Sequence, residues 1–348
     1  MTTVADGLYQ YGGMPVTGSV PPFVSVNSKT FFVDPVNGAD GNSGRSPKDA
    51  LATLYRAHYL MTSGNNDVCY LIGNGAASGT ARLSLANAVA AQGPSETPAT
   101  TGTLTWSKSA CHLIGIAAPG QWARARLAPP TGTYTSATFG SPIFVTVSGS
   151  GCYFSNISLY QQFSTGEDGE ICLNVTGDYN VFSNMLIAGM QSAAAASGAA
   201  SRNLVLNSAG DNLFLNCIIG TDTVTRSAAN SSLQLLAGSN RNKFVDCEWP
   251  MYTSSATSTF GLVAAAGGCD RYTLFKNNLF LNAMDSGSTA LTGAFLLAAS
   301  AGGCMVVNGG GLVGDGSANW GVDATSLAQM YVDNVGGAAT AGLMLNPT

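Results

Sequence analysis

Charge is scarce in this chain. Asp, Glu, Lys and Arg make up only 9% of 348 residues, where a soluble domain carries roughly a quarter. Lys and Arg number 14 against 19 Asp and Glu, for a formal charge of −5. That leaves no basic field for a nucleic-acid backbone and no acidic tail. Two histidines leave little for acid–base chemistry. Long apolar runs are missing as well. The richest small-apolar stretch, residues 186–200, is broken by Gly189, Gln191, Ser192, Ser197 and Gly198, so no bilayer-spanning segment is expected. The opening residues, Met1 to Gly7, contain neither a positive n-region nor an apolar h-region, and synthesis in a cytosol is the default expectation. Eight cysteines include no C-x-x-C pair, which argues against a disulfide framework or a zinc ribbon. They read as small apolar core residues, and no metal or cofactor is expected.

What is present is hydrophobic (45%) and rich in glycine (43 residues), enough to bury a substantial core. Residues 1–29 follow no period of 2 or 3.6 and read as an extended arm. Leu8, Tyr9, Tyr11, Met14, Val16, Pro21, Pro22 and Phe23 make the arm too apolar to stay in water, so it is expected to dock on something. Residues 30–66 hold a strand at Phe31-Phe32-Val33, then a run of turn formers, then a helix. Ser46-Pro47 with Asp49 forms a start signal, and Ala50, Leu51, Leu54, Ala57, His58 and Met61 share one face. The spacing predicts one amphipathic helix over about 46–62.

Residues 67–337 carry a repeat. Cys152 to Asn156, Asn180 to Asn184, Asn212 to Asn216, Asn242 to Asp246 and Thr273 to Asn277 share Phe, one residue, then Asn or Asp, and Met305-Val306-Val307-Asn308 continues with Val306 for Phe. Phe spacings are 28, 32, 30 and 31, with 31 more to Val306. Each unit has an earlier strand, joined to the Phe strand through glycine. Units of this length with short strands and almost no helix fit coils of a parallel β-helix, stacked about 4.8 Å apart. The fold class is therefore all-β: a single-stranded parallel β-helix with an N-terminal extended arm and a capping α-helix that hides the end of the stack. Inward Phe residues form a column, and the Asn two positions later is expected to build an amide ladder. Cys152, Cys217, Cys247, Cys269 and Cys304 recur near the same strand and read as interior. Residues 338–348 form a C-terminal tail, too short for a separate trimerisation domain.

The entry Phe32-Val33-Asp34-Pro35-Val36-Asn37-Gly38-Ala39-Asp40-Gly41-Asn42-Ser43-Gly44-Arg45-Ser46-Pro47, the helix after it and Ser109-Ala110-Cys111-His112-Leu113-Ile114-Gly115 resemble the start of domains of the pectin-lyase-like right-handed parallel β-helix superfamily. The resemblance covers about residues 31–336. It implies a right-handed coil, and it spans polysaccharide lyases, glycoside hydrolases and the spikes and decoration proteins of tailed phages, so it does not choose an activity. The Gly- and Pro-rich arm resembles the virion-attachment arm of phage structural proteins.

Enzymes on this fold place carboxylates on an exposed face. On the Phe alignment, Asp178, Asp211, Arg241 and Arg271 fall near one corner, and Asp285 and Asp315 form a second pair. If the chain is an enzyme, Asp211, Asp285 and Asp315 are the catalytic candidates; the bland alternative is turn capping and cross-coil pairing. Glu167-Asp168-Gly169-Glu170 reads as a solvated loop ahead of a calcium site. His58 and His112 belong to no nucleophile–base set and read as packing residues. Small-residue segments at 192–200, 254–258 and 298–301 read either as plain flexible loops or as faces that suit close approach of another copy. The reading these features support is a non-enzymatic phage virion protein made in the host cytoplasm. It would be a homotrimer of capsid decoration type, attached through its arm to capsid or, second, tail proteins. The alternative is a tailspike-like protein that binds or depolymerises a host glycan.

Overall fold

A computed structural model describes residues 10–11, 14–15, 27–73, 80–82, 102–118, 124–129, 139–162, 169–228, 230–254, 260–265, 267–269, 271–283, 293–298, 304–313, 319–321 and 330–333. Short parallel strands build three sheet faces around one apolar interior. The first face runs from Thr30–Val33 through Asp67–Ile72, Cys111–Ile116, Tyr153–Ser155, Val181–Ser183, Leu213–Leu215 and Asn242–Val245 into the long strands Tyr272–Asn282 and Cys304–Val313, and ends at Met330–Asp333. The second face stacks Ala125–Ala128, Ile157–Tyr160, Leu186–Ala188, Ile218–Ile219 and Glu248–Met251; the third stacks Leu104–Trp106, Ile143–Val147, Ile171–Val175, Arg202–Leu206 and Ser231–Leu235 with their successors. Every pairing within these faces is parallel, which is the parallel β-helix expected from the repeat. In the arm, Gln10–Tyr11 pairs antiparallel with Met14–Pro15.

Alternation decides what faces inward. Phe154, Phe182, Phe214, Phe244 and Phe275 stack with centroids 5.1, 4.5, 4.7 and 5.0 Å apart and ring planes within 14° of parallel. Register extends this column backward through Leu113, Cys69 and Phe31, where the repeat is invisible in sequence. Forward, Phe275 pairs with Val307, while Val306 pairs with Leu274. The expected partner Val306 is thus corrected by one residue, because this coil is one residue longer and two adjacent valines cannot reveal which of them points inward.

Each Phe strand turns onto the second face through one left-handed residue: Asn156, Asn184, Asn216, Asp246 and Asn277 have φ between 51° and 56°. Asn and Asp tolerate this conformation best among residues with a Cβ. The expected ladder at these corners exists only in pieces, between Asn184 and Asn156 (3.3 Å) and between Asn277 and Asp246 (3.1 Å). The continuous ladder lies on the other side of the Phe. The Oδ1 atoms of Asn180, Asn212 and Asn242 accept from the backbone N–H groups of Cys152, Asn180 and Asn212 at 2.8, 2.8 and 3.0 Å. All three side chains are sealed from water. The corners joining the third face to the first are tight enough to need glycine: a Cβ on Gly177 would stand 2.1 Å from the Gly149 carbonyl oxygen.

The cysteines are interior but occupy different columns. Cys152 precedes its Phe, at the head of the Asn ladder, whereas Cys217 and Cys247 follow theirs and donate to the Phe182 and Phe214 carbonyls. The Cys269 side chain is also buried; the Cys304 side chain lies outside what the structure describes.

The end of the stack departs from the single helix predicted over 46–62. Pro47–Asp49 is one 3-10 turn, Ala50 and Leu51 are extended, and the α-helix spans only Leu54–Leu60. The reason is the exposed edge of Thr30–Val33. Gly44 and Leu51 supply backbone bonds to Phe32 and Asp34, so this stretch satisfies an edge strand instead of coiling. Asp40 then receives Ala52 N, Thr53 N and Thr53 Oγ1, and Thr53, not Ser46, caps the helix. Leu54, Tyr55 and Ala57 are buried in the core, and the helix closes this end as expected.

Candidate functional site

The corner before each Phe carries Asp211, one of the three catalytic candidates. Register there stacks Tyr179, Asp211, Arg241 and Tyr272, one per coil. Arg271 falls outside the column, because Asn242 pairs with Thr273 and so sets Tyr272 opposite Arg241. Asp211 and Arg241 form a two-pronged ion pair, with Nε to Oδ1 at 2.7 Å and Nη2 to Oδ2 at 2.5 Å. Arg241 holds the Asp211 carboxyl below the usual carboxylate range. An acid fixed in its ionised form is poorly placed to donate a proton to a leaving group. Asp178 is spent on the turn, where Oδ1 accepts from Gly210 N at 2.7 Å. Tyr179, 64% exposed, and Tyr272 at 36% flank the pair. These tyrosines were not singled out from sequence, since nothing local marks a corner residue as outward. Asp285 and Asp315 lie outside the described residues, as do the side chains of Leu8, Tyr9, Tyr11, Met14, Val16, Pro21, Pro22 and Phe23.

The loop at 167–170 differs from the solvated reading in the part that is described: the Glu170 side chain is 1% exposed. Of the small-residue segment at 192–200, Ala193–Ala196 form a helical turn capped by Ser192 Oγ, and Ala195 and Ala196 pack inward against Met190. Only part of that segment is therefore free to meet another copy. Most of 254–258 and 298–301 lies outside the described residues.

Both histidines are structural acceptors. His112 Nδ1 accepts from Tyr153 N at 3.1 Å, which places the proton on Nε2, toward Asn66 Oδ1 at 3.3 Å. His58 Nε2 accepts from Ser107 N at 3.2 Å, and its ring leans on Trp106. Burial pushes each down to about 4, aided at His58 by Lys108. Among the described residues, no three His, Cys, Asp or Glu side chains converge as metal ligands.

A second, unexpected cluster sits beside the helix at the N-terminal end. Lys29, Arg45 and Arg56 line an open cavity of about 420 Å³ floored by Phe31 and Leu60. It escaped sequence reading because its cations come from three separate segments that only the fold brings together.

These features define a parallel β-helix built on stacked Phe and Asn columns. Among solved structures, the pectate lyase Pel9A matches with a TM-score of 0.52 at 14% identity, over 88% of this chain and 74% of that one. The pectin methylesterase PemA from Erwinia chrysanthemi matches with a TM-score of 0.48 at 13% identity, over 82% and 78% of the two chains. The pectin methylesterase from Aspergillus niger gives 0.46 at 14%, over 90% and 93%. No protein-family model and no curated protein sequence matches the chain. The likeness to the pectate lyase is one of fold.

Proposed function

We propose that the chain is a non-enzymatic virion structural protein of a tailed phage, a homotrimeric β-helix of capsid decoration type attached through residues 1–29. The observation that carries this reading is the outer surface of the first face. Its two outward columns run Val181, Leu213, Lys243, Leu274 and Ser183, Leu215, Val245, Lys276, so apolar side chains dominate where a lone parallel sheet would meet water. Such a face suits burial against equivalent faces under closed symmetry. The commitment of Asp178 and Asp211 to turn and ion pair supports the same side of the argument.

The alternative, a tailspike-like protein that binds or cleaves a host glycan, draws support from the exposed Tyr179 and Tyr272 beside the Asp211–Arg241 pair. Gold-tagged antibody on intact source particles separates the two. Label over the shell is the expected result, and label at the tail tip together with released oligosaccharides favours the alternative. Unlabelled particles overturn both. For the arm, deletion of residues 1–27 should abolish particle binding while the β-helix still folds.

A further inference from the structure

We infer that the cavity at the N-terminal end is a binding site for carboxylate groups of an acidic protein segment. Lys and Arg number 14 in the whole chain, yet Lys29, Arg45 and Arg56 converge on this one cavity. Among the described residues, no carboxylate forms an ion pair with any of the three. The nearby acids are engaged elsewhere: Asp49 takes Ser43 N and Oγ, and Asp67 takes the backbone N–H groups of Lys29 and Thr62. The cations are also held in place. The Arg45 guanidinium lies 5.1 Å above the Phe31 ring, that of Arg56 5.3 Å from the Tyr59 ring, and Lys29 Nζ reaches Thr62 Oγ1 at 3.3 Å. Arg56 Nε is buried with no hydrogen-bond partner.

Guanidinium forks match carboxylates in planar, two-pronged geometry. A volume of about 420 Å³ over Phe31 and Leu60 is far more than a lone inorganic anion fills, and it suits acidic side chains flanking an apolar one. The cavity also adjoins Lys29, where the proposed attachment arm joins the β-helix. Resting on the attachment reading, the site would receive an acidic segment of the same scaffold that the arm engages, so that attachment has an electrostatic as well as an apolar component.

The test uses the full chain and a fluorescein-labelled peptide EEFEE, with QQFQQ as control, followed by anisotropy. Wild type should bind EEFEE in low salt, lose affinity as NaCl rises, and ignore QQFQQ. R45Q/R56Q should weaken binding at least tenfold with an unchanged thermal melt, and K29Q/R45Q serves if that variant melts early. No binding of EEFEE by wild type, equal binding of QQFQQ, or unchanged binding by the variants overturns the site. Particle reconstitution then separates the two levels. If the variants lose the peptide while neither they nor wild type bind particles, the carboxylate site stands and the virion reading fails. If the variants lose the peptide but dock on particles as wild type does, the role in attachment is overturned.

Discussion

At the scale of single residues, burial has turned polar side chains into connectors between coils. Asn212 is the clearest case, since its Oδ1 accepts Asn180 N and its Nδ2 reaches Asn242 Oδ1 at 3.2 Å. Asn212→Ala strands the buried Asn180 N–H, for an expected loss of about 1–3 kcal/mol in urea unfolding. The histidines set the acid limit. Each is neutral in the fold with a value near 4, against 6.5 when unfolded. Their contribution is therefore complete above pH 6.5 and lost as pH falls toward 4, by on the order of 3 kcal/mol for each. The melting temperature should be flat above pH 6.5 and fall below it, and His112→Gln should flatten the slope. Sequence alone exposed the Phe column, because Phe followed two positions later by Asn recurs unmistakably. It missed the Asn ladder two residues earlier: that position is Cys152 in one coil and Thr273 in another, and an Asn beside a turn looks the same whether its amide faces water or the next coil.

At the scale of elements, the Leu54–Leu60 helix is held more by its ends than by its length, as a two-turn helix must be. Asp40 and Thr53 secure the start, and Lys108 Nζ donates to the carbonyls of His58, Tyr59 and Met61 at 2.6, 2.7 and 2.7 Å. Lys108→Met should cost about 1.5–3 kcal/mol from the lost charged hydrogen bonds. It should also raise the His58 pKa, because Lys108 contributes to holding it down; NMR titration of the ring protons reads that shift. The helix was legible as an element but not in its bounds. Ser46, Pro47 and Asp49 form a sound local start signal, overridden because Leu51 was needed to complete the edge of Thr30–Val33.

For the whole molecule, the stacking of coils was legible from a period near 30, whereas the second face was not, because its strands of two to four residues carry no repeat of their own; self-association rests on surface chemistry. If the outer columns of the first face pack between copies, Leu213→Glu together with Val245→Glu should turn a trimer of 35.4 kDa chains into monomers by sedimentation, with little change in circular dichroism. A trimer that survives both charges would place the interface elsewhere.

The parallel register has a mechanical consequence. Strands lie across the long axis, and each coil bonds only to its neighbours, so tension applied between residues 30 and 333 loads the ladders in series instead of shearing them together. Such a rod should yield coil by coil, each Phe-to-Phe repeat of 28–32 residues releasing roughly 100 Å of chain at 3.3–3.6 Å per residue. Under a pulling tip it would behave as a ratcheted tether that gives way in even steps.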